Sequence, residues 1–405
     1  MTKRILWLIL VFLLSYRMMP GQGLLTKKEA APDLSKIQPV SITSLKLAEE
    51  CDYGFFLPDS DLIAFKVSKT ISNGNYDLYK FIIYNKMGEL VKELDRVFWW
   101  GGGPLLLKVS RVSSLLLIDM EKGTQNIVNL YPANLSNISI NPFTRNIVYT
   151  YGVENRIRIY DVLTRKSRVL AKLGNGMLWF MMQVSRQEIV FIRPKISQSF
   201  TSEDVEPWVN VQIPMYLINL EKHKGIELTK ISAIGFMVHT NYENREITFV
   251  VEEKGHLKFI STNRLKDQHK VKVYHLNRED ANSYEGLLLN YGSMNKDGNL
   301  LASTWVRLLK KKKARRISFR FYSLDPKIYT PTEGDIYLLD LNGNSKKLTD
   351  TTDQIEVMCD WDRTEDDILY YDYNTMIFYL MELDMSGLNR KLIRRSSEKE
   401  LKIKP

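Results

Sequence analysis

One local pattern recurs along this chain and limits what it can fold into: a polar turn followed by a short β-branched or aromatic run. Copies stand at 58–65, 102–107, 141–149, 185–191, 244–249, 295–302 and 364–370. With Ile63, Leu106, Ile147, Ile189, Ile247, Leu301 and Ile368 as markers, the steps are 43, 41, 42, 58, 54 and 67 residues. The first three equal the ~40–45 residues that four strands and their turns occupy. The longer steps predict insertions, which fall at 194–214, 266–285 and 308–333.

Most copies carry a second strand pair. The clearest is 334–350, Gly-Asp-Ile-Tyr-Leu-Leu-Asp-Leu-Asn-Gly-Asn-Ser-Lys-Lys-Leu-Thr-Asp, in which Asn342-Gly343 separates two β-prone runs. Asn-Gly accepts positive φ at both turn positions, which makes it the strongest short-range hairpin signal. A largely apolar strand precedes most copies as well. Helical periodicity is nearly lacking, and 37 Tyr and Phe residues favour sheet. The sequence therefore predicts an all-β fold, a seven-bladed β-propeller of four-stranded antiparallel blades, or six blades if the weak 101–107 unit is not a blade. Two β-sandwiches are the competing architecture. Radial closure hides sheet edges and favours the propeller.

The N-terminus reads as an export signal: Lys3 and Arg4, ten unbroken apolar residues at 5–14, then small residues Gly21 and Gly23 before a cut after Gly23. The apolar run is too short to span a bilayer. The predicted organisation is a signal peptide at 1–23, a linker and first strand at 24–47, a propeller at 48–395 and a basic tail at 396–405. A periplasmic or secreted location follows. The net charge is +10, of which Lys3, Arg4 and Arg17 supply three, leaving +7 after cleavage. That balance suits anionic surfaces.

Leu57-Pro58-Asp59-Ser60-Asp61-Leu62-Ile63-Ala64-Phe65 resembles the core of the WD40-like repeat of TolB-type propellers. Asn295-Lys296-Asp297-Gly298-Asn299-Leu300-Leu301-Ala302 is similar, and 334–350 looks like the other half of that repeat. The resemblance spans 50–394 and is sharpest in the first and last two units. It implies a propeller. The serine peptidases gated by related propellers carry Gly-x-Ser-x-Gly, which this sequence lacks.

The chemistry-bearing residues are sparse. The five histidines, His223, His239, His256, His269 and His275, crowd into about one unit, without metal-ligand spacing. Asp360-Trp361-Asp362-Arg363-Thr364-Glu365-Asp366-Asp367 is acidic enough to suggest Ca²⁺, but lacks the glycine of a compact loop and reads first as a solvated turn. Nothing calls for a cofactor or a metal. The most distinctive charged feature is Lys310, Lys311, Lys312, Lys313, Arg315 and Arg316, extended by Arg307 and Arg320 and flanked by aromatic residues. It suits an anionic glycan or lipid surface. Export argues against nucleic acid. Trp99 and Trp100 could stack on a sugar or pack beside the Gly101-Gly102-Gly103 turn. Cys51 and Cys359 fall in the first and last units, so a ring would bring them near each other, either bridged or as two buried thiols.

Three functional readings follow. The first is an exported, non-catalytic propeller that holds an envelope or secreted protein, or a glycan, through its inserted loops. The second is a propeller lyase or hydrolase acting on a polysaccharide. The third is a scaffold that meets an anionic membrane surface through the basic 307–320 hairpin.

Overall fold

The computed structural model describes residues 33–385, apart from 59, 73–76, 101–102, 111–113, 152–155, 173–179, 186–187, 193–211, 220–221, 223, 233–235, 242–244, 254–255, 262–268, 273–282, 311–328, 353 and 363–365. The regular structure there is strands and two short 3₁₀ turns, Leu34–Lys36 and Pro132–Asn134.

Five sheets are four-stranded, and a sixth is eight-stranded. The long sheet, whose eighth strand is the short Ile71–Ser72 paired off the main path with Asp77–Asn85, is two consecutive four-strand units that share one strand, Leu90–Trp100. Its first half pairs with Asp77–Asn85 and its second half with Leu105–Val109. Between the halves Arg96 adopts φ 59° and its guanidinium donates to Ser110 O at 3.0 Å. That left-handed residue turns the strand from the outer edge of one unit into the inner strand of the next. Counted this way, the described strands sort into units 1 to 7, with inner strands Cys51–Phe56, 97–100, Leu135–Ile140, Phe180–Ser185, Phe236–Asn241, Ser283–Met294 and Glu356–Trp361.

The first turn of a unit repeats in atomic detail. Leu57 N donates to Leu62 O at 2.8 Å, Asn141 N to Asn146 O at 3.0 Å, Asn295 N to Leu300 O at 3.0 Å and Asp362 N to Asp367 O at 2.7 Å. Asn141 Oδ1 accepts from the amides of Phe143 and Thr144, and Asn295 Oδ1 from those of Asn299 and Leu300. Such side-chain acceptors hold a turn without many glycines or prolines. The third strand also ends on a capping Asx residue: Asp119, Asp161, Asn219 and Asp340 each accept a backbone N–H from the turn that follows.

Neighbouring units pack through shared apolar wedges. One cluster joins units 2 and 3, another units 4 and 5, another units 5 and 6. The ring closes between units 7 and 1, where Phe65 meets Phe378 edge-on at 4.9 Å and Cys51, Ile63, Val357 and Leu369 fill the same cluster. Burying each of these large side chains is worth roughly 1.5–3 kcal/mol.

The closing strand corrects the expected organisation. Strand Gln38–Leu45, placed by the sequence outside the propeller with the linker, pairs antiparallel with Phe378–Asp384 as the outer strand of unit 7. The sequence placed a return strand at 390–393 in that position; those residues lie outside the described ones. Local pattern cannot reveal a pairing between residues more than three hundred positions apart. Likewise, the predicted insertion at 266–285 contains His269–Lys272, the outer strand of unit 5.

Candidate binding face

All inner strands run in one direction. The C-terminal ends of three of them meet: Asp360 Oδ2 accepts from Phe56 N at 3.0 Å, and Ser293 Oγ donates to Asp360 Oδ1 at 2.8 Å. Asn141 Nδ2 donates to Gln183 O at 2.6 Å, and Asn241 Nδ2 to Lys296 O at 3.4 Å. At the other end Phe180 and Phe236 lie 4.8 Å apart. Antiparallel alternation then puts every first and third turn of a unit on one face. It puts every second turn, and every connection between units, on the other.

The three longest connections that lie outside the described residues have both their ends on that second face. They leave from Ile192 to Gln212, from Lys272 to Ser283 and from Lys310 to Tyr329, the ends of strands Glu188–Ile192, Gln212–Asn219, His269–Lys272, Ser283–Met294, Leu300–Lys310 and Tyr329–Asp340. In unit 6 the ladder runs out to the base of the basic segment, pairing Leu309 with Thr330 and Lys310 with Tyr329. Arg307 sits near that base. Its guanidinium lies 3.8 Å from Glu333 Oε1, and its carbonyl accepts from Thr332 Oγ1 at 3.2 Å. An exposed pair at that distance contributes little to stability. Lys310 ends the strand, whereas Lys311, Lys312, Lys313, Arg315, Arg316 and Arg320 lie outside the described residues.

Trp99 and Trp100 are elsewhere. They end the inner strand of unit 2, at the face opposite the long connections. Trp100 Nε1 donates to Gly103 O at 2.9 Å, and its ring lies 4.9 Å from both Phe55 and Phe81. Trp99 packs against the wedge between units 2 and 3. The structure therefore does not bring the tryptophans and Arg307 into one site.

Each described end of the acidic run carries a buried aspartate. Asp362 and Asp367 are buried, and Lys86 of unit 1 makes ion pairs with both, at 2.6 Å to Asp367 Oδ2. The lysine also stands 5.7 Å over the Phe56 ring. Two carboxylates at the seam would repel each other, and the ammonium between them offsets this. Among the described residues no group of three or more His, Cys, Asp or Glu could hold a metal ion. Lys86 and Ser293 carried no signal in the sequence, because their roles depend on units far apart in the chain.

Cys51 and Cys359 are both buried free thiols in the closing wedge. Burial pushes the Cys51 thiol up to about 12, and raises Cys359 further. His239 is buried and His256 exposed. Glu356, at the start of the inner strand of unit 7, is 1% exposed, and its Oε2 has no hydrogen-bond partner. Burial lifts its carboxyl to about 7, opposed by bonds from the Thr349 and Thr351 hydroxyls. A bridge between Gly334 and Ile355 sets Asp335 beside it, and Lys347 lies 3.0 Å from Asp335 Oδ2.

No protein-family model matches this chain, and no curated protein does. Solved structures similar to it include the β-propeller domain of Cps50 from Myceliophteria thermophila, with 9% identity over 84% of this chain and 99% of that one at a TM-score of 0.47. An oligogalacturonate lyase in complex with manganese shares 12% identity over 87% and 98%, at 0.44. TolB from Acinetobacter baumannii shares 11% over 80% of each chain, at 0.32. The chain's own strand pairing, common strand direction and closing wedge define a β-propeller.

Proposed function

We propose that this chain is an exported, seven-bladed propeller of the TolB-like repeat type that binds a protein or glycan partner in the cell envelope without catalysing a reaction. The observation that supports the reading is topological: the three longest connections leave the ring on one face, one of them from a ladder prolonged to Lys310 and Tyr329. Connections that converge on one end of a rigid ring are where propellers and other scaffolds carry recognition. The export pattern at 1–23 supports the location, and the basic segment after Arg307 supports an anionic component in the partner.

The test is a pull-down of residues 24–405 against the native envelope fraction at low and high salt, beside a variant lacking 311–328. Retention of a discrete partner at high salt, lost in the deletion, is the expected result. An equal yield from both proteins, or none from either, contradicts the reading.

A further inference from the structure

The outer rim of unit 3 carries a second basic surface that sequence reading passed over. Residues 156–172 hold six basic side chains and one acid, Asp161. They form strands Arg156–Asp161 and Lys166–Lys172, the latter being the open edge of its sheet. Arg156 faces Lys172 directly across the ladder, and Arg168 stands opposite Ile159. Like charges facing each other across strands destabilise a sheet unless something neutralises them. Asp161 stands opposite Lys166 in the ladder without forming an ion pair, its Oδ1 accepting the amides of Leu163 and Thr164 at 2.9 Å, and it leaves the facing Arg156 and Lys172 unmatched. Arg156, Arg165, Lys166, Arg168 and Lys172 make no ion pair with any described residue. The cations follow a strand of about 20 Å.

Apolar groups stand among them. Leu163, at the tip of the turn, is 90% exposed, and Val169 on the edge strand is 42% exposed. Arg165 beside the tip holds φ 55°, and Arg158 is drawn onto the Tyr151 ring at 5.5 Å. Free cations on both sides of a protruding leucine suit a surface that is anionic outside and hydrocarbon beneath. A saccharide would instead be met by exposed rings and hydrogen-bonding groups. We propose that this rim docks the protein edge-on to an anionic phospholipid bilayer, with Leu163 entering the headgroup layer and Arg165, Lys166 and Arg168 contacting phosphate. The inference does not rest on the partner-binding reading, which concerns another part of the ring.

Flotation of the full chain with vesicles of phosphatidylcholine containing about a third phosphatidylglycerol tests it, with pure phosphatidylcholine as the neutral surface. The account predicts binding to the anionic vesicles alone, weakened about a hundredfold by R165Q/K166Q/R168Q and about tenfold by Leu163→Ser, with the thermal midpoint unchanged. Substituting Lys310, Lys311, Lys312 and Lys313 with Gln should leave flotation intact. The proposal is overturned if the native chain does not float, if the rim variant floats as well as the native chain, or if the Lys310 to Lys313 variant alone abolishes binding. It is also overturned if the rim binds soluble polygalacturonate and no vesicle.

Discussion

Asp360 and Phe56 lie 304 positions apart in sequence, yet the Asp360 carboxylate accepts the Phe56 amide at 3.0 Å. The same side chain takes the Ser293 hydroxyl with its other oxygen. One carboxylate thus ties the last inner strand to the first and to the one before it. Asp360→Ala should cost about 2–3 kcal/mol in urea denaturation, since it orphans a part-buried backbone donor as well as losing a charge-assisted bond. A loss below about 0.5 kcal/mol would mean that the tie does not hold the seam.

Lys86 supports the same seam from unit 1. Lys86→Met leaves Asp362 and Asp367 buried together, and should cost about 3–5 kcal/mol. Adding Asp362→Leu should recover part of that loss, giving a coupling of at least about 2 kcal/mol in a double-mutant cycle. Strictly additive losses would show that the three groups do not act on one another.

Glu356 sets a pH dependence. Its carboxyl, raised by burial from the ordinary 4.5 to about 7, binds a proton more readily folded than unfolded. The protonated group's contribution is complete below about 4.5 and is lost as pH rises through about 7. Asp335, Lys347 and Tyr370 are the charged and titratable neighbours in its surroundings. Glu356→Gln should therefore stabilise the protein at pH 8 by about 2–3 kcal/mol relative to the native chain and change it little near pH 4. Parallel stability curves for the two proteins across that range would contradict the assignment.

Burial governs the thiols as well. Cys51 and Cys359 should resist Ellman's reagent in the native protein and both react at once on unfolding in the absence of reductant. Reaction of only one equivalent, or none, in denaturant would show that they are oxidised.

The strand units were legible because each is local. Asn342-Gly343 makes its hairpin, Asn295 caps its turn, and the apolar runs at 63–65 and 368–370 enter the core as inner layers. What the sequence could not display was joinery between units. The pairing of Gln38–Leu45 with the last sheet, the insertion of Lys86 between two aspartates and the merging of two units through Arg96 all depend on residues brought together by the ring. Trp100 was open to two readings, stacking on a sugar or packing beside the turn, because a ring beside glycines reads alike in either role. Its bond to Gly103 and contacts with Phe55 and Phe81 spend it on packing. The basic residues of 156–172 escaped notice because Arg156 and Arg158 alternate with buried Ile157 and Ile159, while the rest are spread over the turn and the edge strand instead of forming a run.

The central claim is that the ring is closed by the N-terminal strand, with Ser41 opposite Glu382 in register and the two side chains 3.1 Å apart. Oxidative cross-linking of Ser41→Cys/Glu382→Cys tests this most directly, with Thr43→Cys/Asp384→Cys as the out-of-register pair. The account predicts a rapid, nearly complete disulfide in the first pair, mapped by mass spectrometry, and none in the second. Equal cross-linking in both pairs, or a disulfide only in the second, would contradict the closure.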